Sequence, residues 1–205
     1  MLFRSGRETF QRIQTYALNS VTKKTVQVLF LAAGLIMTGH AILTPMLMVI
    51  IMLTGDLLGM SLTTDNVRPS PLPNTWRIGR LTIAGVFMGV SELIFCTAVL
   101  AIAKYRLGLG IDMLRTLAFV AIVFGNQATT YTNRERQRLG AARPSRWLIA
   151  SSVVDVLIAS TLATRGIAMS PLPILVVGGM LVSAAVFAFI LHVAKVPVFR
   201  SLGIV

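Results

Sequence analysis

The chain alternates long apolar runs with short polar segments. Each run has about the 20 residues that an α-helix needs to cross about 30 Å of hydrocarbon. Helices are expected because unpaired backbone groups cannot face lipid. The pattern therefore predicts an all-α membrane protein, a bundle of six transmembrane helices, with spans at 25–43, 45–62, 81–103, 111–131, 147–164 and 172–193.

Helical spacing of apolar residues also precedes the first span. Phe10, Ile13, Ala17 and Val21 recur among polar and basic neighbours. This spacing predicts that the first helix extends out of the membrane as an amphipathic stalk. The alternative is a helix that lies on the bilayer surface. The expected organisation is a cytoplasmic stalk over 1–24, a transmembrane domain over 25–193 and a cytoplasmic tail over 194–205.

Composition supports the membrane assignment. Of the 205 residues, 55% are hydrophobic and 13% are charged, which lies outside the usual range of soluble domains. The net charge of +12 would suggest nucleic acid in a soluble protein, but here the basic residues flank apolar spans, so no nucleic acid is expected. With both termini in the cytoplasm, fifteen basic residues lie on the cytoplasmic side and four on the other, which follows the positive-inside rule.

Three acidic residues lie inside predicted spans: Asp56, Glu92 and Asp155. Each opposes insertion by about 2.5–3.5 kcal/mol, so the fold must compensate. Either the carboxyl groups are protonated, or they share a cation or water with neutral groups such as Thr54 and Gln127. A carboxyl group with alternating exposure suits proton transport, which we expect of Asp56. For Glu92 and Asp155 an interhelical hydrogen bond that fixes packing is the preferred interpretation.

Two glycine pairs have the spacing of close helix contacts in membranes, Gly55 with Gly59 and Gly85 with Gly89. At the end of a span, Asp112 and Arg115 are three residues apart and predict a local ion pair. The soluble catalytic motifs that we considered, a glycine-rich phosphate loop, a metal-ligand cluster and a Ser/His/Asp arrangement, are absent from the sequence.

Three motifs together resemble the C-terminal membrane half of P-type cation-transporting ATPases, and most closely their plasma-membrane proton pumps. They are GRETFQRIQTY (Gly6–Tyr16), then LTP (Leu43–Pro45), and GDLLGMSLTTDNVRPSPLPNTW (Gly55–Trp76). The resemblance is specific for residues 6–90 and architectural for 91–205. It implies that the six spans are the family's fifth to tenth helices.

The resemblance also implies residue roles. Asp56 would take and release the transported proton, and Gln27 falls where calcium-pump relatives have a coordinating glutamate. With Thr54, Glu92 and Asp155 they form the candidate ion-binding set. The loop containing Asp65, Asn66, Arg68 and Pro69 would relay movements of the phosphorylation domain.

Two departures from the family leave the ion open between proton, calcium and magnesium. Gly55 stands where the proton pumps have asparagine, and Val26 stands where they tend to have a basic residue.

The phosphorylation and nucleotide-binding motifs of the family are not found in this sequence. The resemblance therefore implies a chain that is not an ATPase on its own and binds no cofactor itself. ATP and magnesium would bind cytoplasmic domains in the rest of the pump, which would act in trans in the plasma membrane. The alternative is a non-catalytic membrane bundle, either a truncated relic or a regulatory subunit.

Overall fold

The computed structural model describes residues 2–66, 78–134 and 143–201. Within these ranges the chain forms α-helices and one short 3-10 turn, and no strand. The prediction of an all-α membrane protein is confirmed, since all six α-helices are long and apolar enough to cross a membrane. They are α1 (Leu2–Thr38), α2 (Pro45–Ser61), α3 (Ile78–Tyr105), α4 (Ile111–Arg134), α5 (Arg146–Arg165) and α6 (Ile174–Ser201), and the 3-10 turn Leu62–Thr64 follows α2.

Local sequence signals set the helix ends. α1 ends before Gly39, which has a positive φ of 72° that favours glycine. Thr44 caps α2 by accepting from the Leu47 backbone N–H, and Pro45 occupies the first turn, where no backbone donor is needed. Ser145 caps α5 in the same way, and Gly166 ends it in the left-handed conformation.

Helix α4 lies at the centre of the bundle. It contacts each of the other five α-helices, which form a ring around it in the order α1, α3, α6, α5, α2 and back to α1. In the 18-residue apolar stretch of α4 most residues are buried, whereas less than half of the residues are buried in the corresponding stretch of every other helix. The side chains of α4 therefore face protein on all sides and lipid on almost none.

Helix α1 is one unbroken helix of 37 residues, so it is about 55 Å long at 1.5 Å per residue. That length exceeds the hydrocarbon thickness. The cytoplasmic stalk over 1–24 stays a prediction. Near its start, the Arg12 Nε donates to the Asp65 backbone oxygen at 2.8 Å. The stalk is thus tied to the segment that follows α2.

Glycine allows α1 and α3 to approach closely. A Cβ at Gly85 would lie 2.7 Å from Val21 Cγ1, and a Cβ at Gly89 would lie 2.8 Å from Thr25 Cβ. The prediction of a close helix contact at this pair is confirmed. At Gly55 it is wrong, because the nearest atom to a Cβ there is Lys23 Nζ, at 3.6 Å, rather than helix backbone.

We expect Gly85→Ala to destabilise the bundle, because its new methyl group overlaps Val21 in a tightly packed contact. The expected loss of unfolding free energy is about 1–3 kcal/mol. Thermal unfolding in detergent measures it, with Gly178→Ala as control, since nothing lies within 4 Å of a Cβ at that position in α6. Equal unfolding midpoints for the two variants would contradict the close contact.

Candidate functional site

The C-terminal half of α4 is polar and buried, and the surrounding helices supply its partners. Thr129 donates to Glu92 of α3 at 2.8 Å, and Gln127 donates to Asp155 of α5 at 2.5 Å. Asn133 donates to Asn19 of α1 at 2.8 Å. Because lipid offers no hydrogen bonds, these contacts fix the helices in register around α4.

Glu92 is fully buried between α3 and α4. A Cβ at Gly125 would lie 3.1 Å from Glu92 Oε1, so glycine at this position leaves room for the carboxyl group. Thr129 binds Oε2, while Oε1 has no hydrogen-bond partner among the residues that the structure describes. The carboxyl group lies in the interior of the bundle and does not line either of the two cavities described below.

A buried ion pair lies at the C-terminal end of α4, next to this polar region. Arg134 Nε donates to Asp65 Oδ2 at 2.6 Å, and each side chain is only 2% exposed. The Ser145 backbone N–H donates to the other oxygen, Oδ1, at 2.9 Å. Together with the Arg12 contact to the Asp65 backbone oxygen, this joins the stalk, the end of α2, the end of α4 and the start of α5.

Two residues of the predicted coupling loop lie among the described residues. Asp65 is buried in that ion pair, whereas Asn66 is exposed and donates to the Arg143 backbone oxygen at 3.3 Å. Of these two side chains, that of Asn66 is the exposed one. Arg68 and Pro69 lie outside the described residues.

Asp56 lines a small cavity of about 110 Å³ between α1 and α2. Its side chain is exposed, and Gln27, Asn126 and Lys23 line the same cavity. The Lys23 ammonium group donates to the Gly55 backbone oxygen at 2.6 Å, one residue before Asp56. A volume of this size holds a few water molecules beside the carboxyl group.

The charges around this cavity limit what it can bind. Asp56 is the one acidic residue among the described residues that line it, and Lys23 and Lys24 line it as well. No nitrogen of either lysine lies within 4 Å of the Asp56 carboxylate in an ion pair of the described chain, so the carboxyl group is not locked. Such a site can exchange a proton with water, and its two ammonium groups repel a metal cation.

The structure divides the five predicted ion-binding residues among three places. Asp56 and Gln27 share the cavity between α1 and α2. Thr54 and Asp155 line a separate groove between α2 and α5, and Glu92 lies apart from both, against α4. These placements do not test the predicted roles, which stay predictions.

Sequence reasoning missed two basic residues. Lys23 was counted among the cytoplasmic loop charges, although its helical spacing from Gln27 places both on one face of α1. Arg134 was counted in the same way, and its pairing with Asp65 joins residues 69 positions apart. The run NQATTYTNR at the end of α4 was the available signal, since a polar run within an apolar span predicts buried partners.

The fold and these contacts define a membrane-spanning helical bundle with buried acidic groups. The chain is similar to a "putative cation-transporting ATPase" of Methanocaldococcus jannaschii, with 24% identity over 168 residues. The match covers 82% of this chain and 21% of the relative, so the chain spans about a fifth of the relative's length. No protein-family model matches the chain. This similarity supports a relation to cation-transporting ATPases, while the proton-pump branch stays a prediction.

Arg134→Met should strongly destabilise the fold, because it leaves the Asp65 carboxylate buried without its charge partner. Loss of one partner of a buried pair costs about 3–5 kcal/mol. Thermal unfolding in detergent checks this, with Asp112→Asn as the matched control. That variant removes the exposed ion pair with Arg115 and should cost less than about 1 kcal/mol. Similar midpoints for the two variants would show that the Asp65 pair is not structural.

Proposed function

We propose that this chain is the membrane, ion-pathway part of a P-type cation pump that exports protons. The observation that carries the proposal is the cavity between α1 and α2, which both Asp56 and Lys23 line and which is large enough for water. The sequence similarity to a cation-transporting ATPase supports the transport class. Asp56 is the group that takes the proton from one side and releases it to the other.

The charge balance of the cavity favours a proton over calcium or magnesium. Calcium takes six to eight oxygen ligands, usually with several carboxylates, and magnesium also binds through carboxylates. Here one carboxylate stands beside two ammonium groups. A proton needs only one acceptor oxygen, which Asp56 supplies.

Lys23 provides a fixed positive charge beside Asp56. Its ammonium group is held by the Gly55 carbonyl oxygen, so it stays in the cavity when the proton leaves. The charge of the ionised Asp56 is then offset without a metal cation. Lys23 thus takes the part that the resemblance assigned to a basic residue at the position of Val26.

Energy for transport comes from the hydrolysis of ATP, which binds with magnesium to cytoplasmic domains of the pump. These domains act on this chain in trans. The chain lies in the plasma membrane, as the resemblance to the proton pumps implies. Both termini lie in the cytoplasm, an orientation that the distribution of basic residues favours. Asn66, exposed at the end of α2, is the described part of the loop that contacts those domains. Gln27 lines the same cavity as Asp56, and its amide group is suited to binding water beside the carboxyl group.

A second candidate is a non-catalytic membrane bundle in which the acids serve packing. The hydrogen bonds of Glu92 to Thr129 and of Asp155 to Gln127 favour such a role for these two residues. They do not account for Asp56, which faces a cavity rather than a helix partner. The two candidates therefore differ in what Asp56 does.

Asp56→Asn should abolish ATP-dependent proton uptake, since an amide cannot take up and release the proton. The chain is co-expressed with the cytoplasmic part of the pump, and acidification of inside-out vesicles is followed with a pH-sensitive dye. Asp112→Asn is the control. This variant should leave uptake unchanged, because Asp112 lies in an exposed ion pair in the first turn of α4. Undiminished uptake in Asp56→Asn would refute the carrier role.

Lys23→Met should lower proton transport at least about tenfold, because it removes the charge that offsets ionised Asp56. Proton uptake is followed with the same dye assay. ATP hydrolysis should respond to calcium in neither the parent nor the variant, because Asp56 is the one carboxylate among the described residues of the cavity and Lys24 remains beside it. ATPase activity is measured over a range of calcium concentrations at constant magnesium. Lys104→Met is the control, since Lys104 donates to the Met37 carbonyl oxygen at the far end of the bundle. Calcium stimulation in the parent would instead favour a calcium pump.

A further inference from the structure

A second, larger cavity lies between α2 and α5. It is an open groove of about 420 Å³, within the range of about 300–1,000 Å³ that is typical of small-molecule sites. Its walls are mainly apolar, and several wall residues face outward: Trp147 is 72% exposed, Met60 67% and Leu57 56%. Ser151 and Ser61 are hydrogen-bonded at 2.9 Å and hold the two helices together beside it.

One carboxylate lines this groove. Asp155 is only 4% exposed, and Gln127 binds its Oδ2 from α4. Its Oδ1 is buried and accepts no hydrogen bond of ordinary geometry from the described residues, although the Thr54 side chain lies close to the carboxyl group. An uncompensated carboxylate oxygen in an apolar site is costly, so a ligand that supplies a donor would be stabilised there.

Nearby basic groups do not supply that donor. Lys23 interacts electrostatically with Asp155. Its ammonium group, however, donates to the Gly55 backbone oxygen in the cavity on the other side of α2. No residue that lines the groove is basic. The groove therefore combines an acidic group with apolar walls, and one indole ring that can also attract a cation.

The depth of Asp155 in the membrane restricts which ligands can reach it. Asp155 lies nine residues after the start of α5 at Arg146, so it is roughly 13 Å further along the helix. The headgroup layer on each side of a bilayer is only about 5–8 Å thick. A phospholipid headgroup with its phosphate does not reach that depth, whereas a compound with one amine on an apolar body does.

We propose that the groove between α2 and α5 binds a small lipophilic ammonium compound that enters from the lipid. The apolar body lies against Leu57, Met60 and Trp147, and the ammonium group donates to Asp155 Oδ1. This site is distinct from the cavity of Asp56 and does not depend on proton transport. Its occupant bridges α2, which carries Asp56, to α5, and so restrains movement of one against the other.

Fluorescence of Trp147 tests the proposal directly. The chain has two tryptophans, so Trp76→Phe leaves Trp147 as the single emitter. The chain in neutral detergent at pH 7 is titrated with 4-(4-bromophenyl)butylamine, whose bromine quenches indole emission, and with the alcohol of the same carbon skeleton. The amine should quench saturably with at least about tenfold higher affinity than the alcohol, as expected of a charge pair formed away from water.

Three variants separate charge recognition from apolar partitioning. Asp155→Asn should lower the affinity for the amine to that of the alcohol, while Asp56→Asn keeps it. Ala150→Phe fills the groove with Asp155 intact and should abolish saturable quenching, which keeps the test decisive if Asp155→Asn fails to fold. Equal quenching by amine and alcohol, unsaturable quenching, or full amine affinity in Ala150→Phe or in folded Asp155→Asn would overturn the proposal. None of these readouts requires ATP, so their failure leaves the proton-pump proposal standing.

Discussion

The bundle depends on the hydrogen bonds that the polar half of α4 makes inside the membrane. Lipid satisfies no donor or acceptor, so the hydrogen bonds that polar side chains make there come from the protein. Glu92 and Asp155 come from different helices, and both bond to α4. The cost of placing acids in the membrane is thus offset at one central helix, and the same contacts determine the order of the surrounding ring.

Packing around α4 is uneven, and this unevenness creates the cavity of Asp56. Helix α1 packs closely on α3 because glycines at 85 and 89 remove the side chains that would separate them. On its other side, α1 leaves a gap to α2 at Gly55, where the ammonium group of Lys23 takes the space. Helix α1 therefore has a tight contact on one face and a cavity on the other.

The sequence predicted the six helices because the spans are long, apolar and separated by clear turn residues such as Pro45 and Gly166. It also placed Asp56 and Gln27 on neighbouring helices, and the structure brings both to one cavity. The pairing of Asp65 with Arg134 was not predictable, because it joins loop ends far apart in sequence and depends on how the helices close around α4. Lys23 was missed for a simpler reason: a lysine near a span end is usually solvated, and only the three-dimensional position of Gly55 gives it a buried partner.

The central claim is that Asp56 faces water inside the membrane while neighbouring positions of α2 face lipid. Labelling of single cysteines by a charged, water-soluble thiol reagent in sealed vesicles measures this directly. We expect rapid labelling of Asp56→Cys, which lies in the cavity, and slow labelling of Leu53→Cys, which is exposed but lines neither cavity. The native Cys96 is buried and should stay unlabelled. Labelling of Asp56→Cys as slow as that of Leu53→Cys would contradict the account.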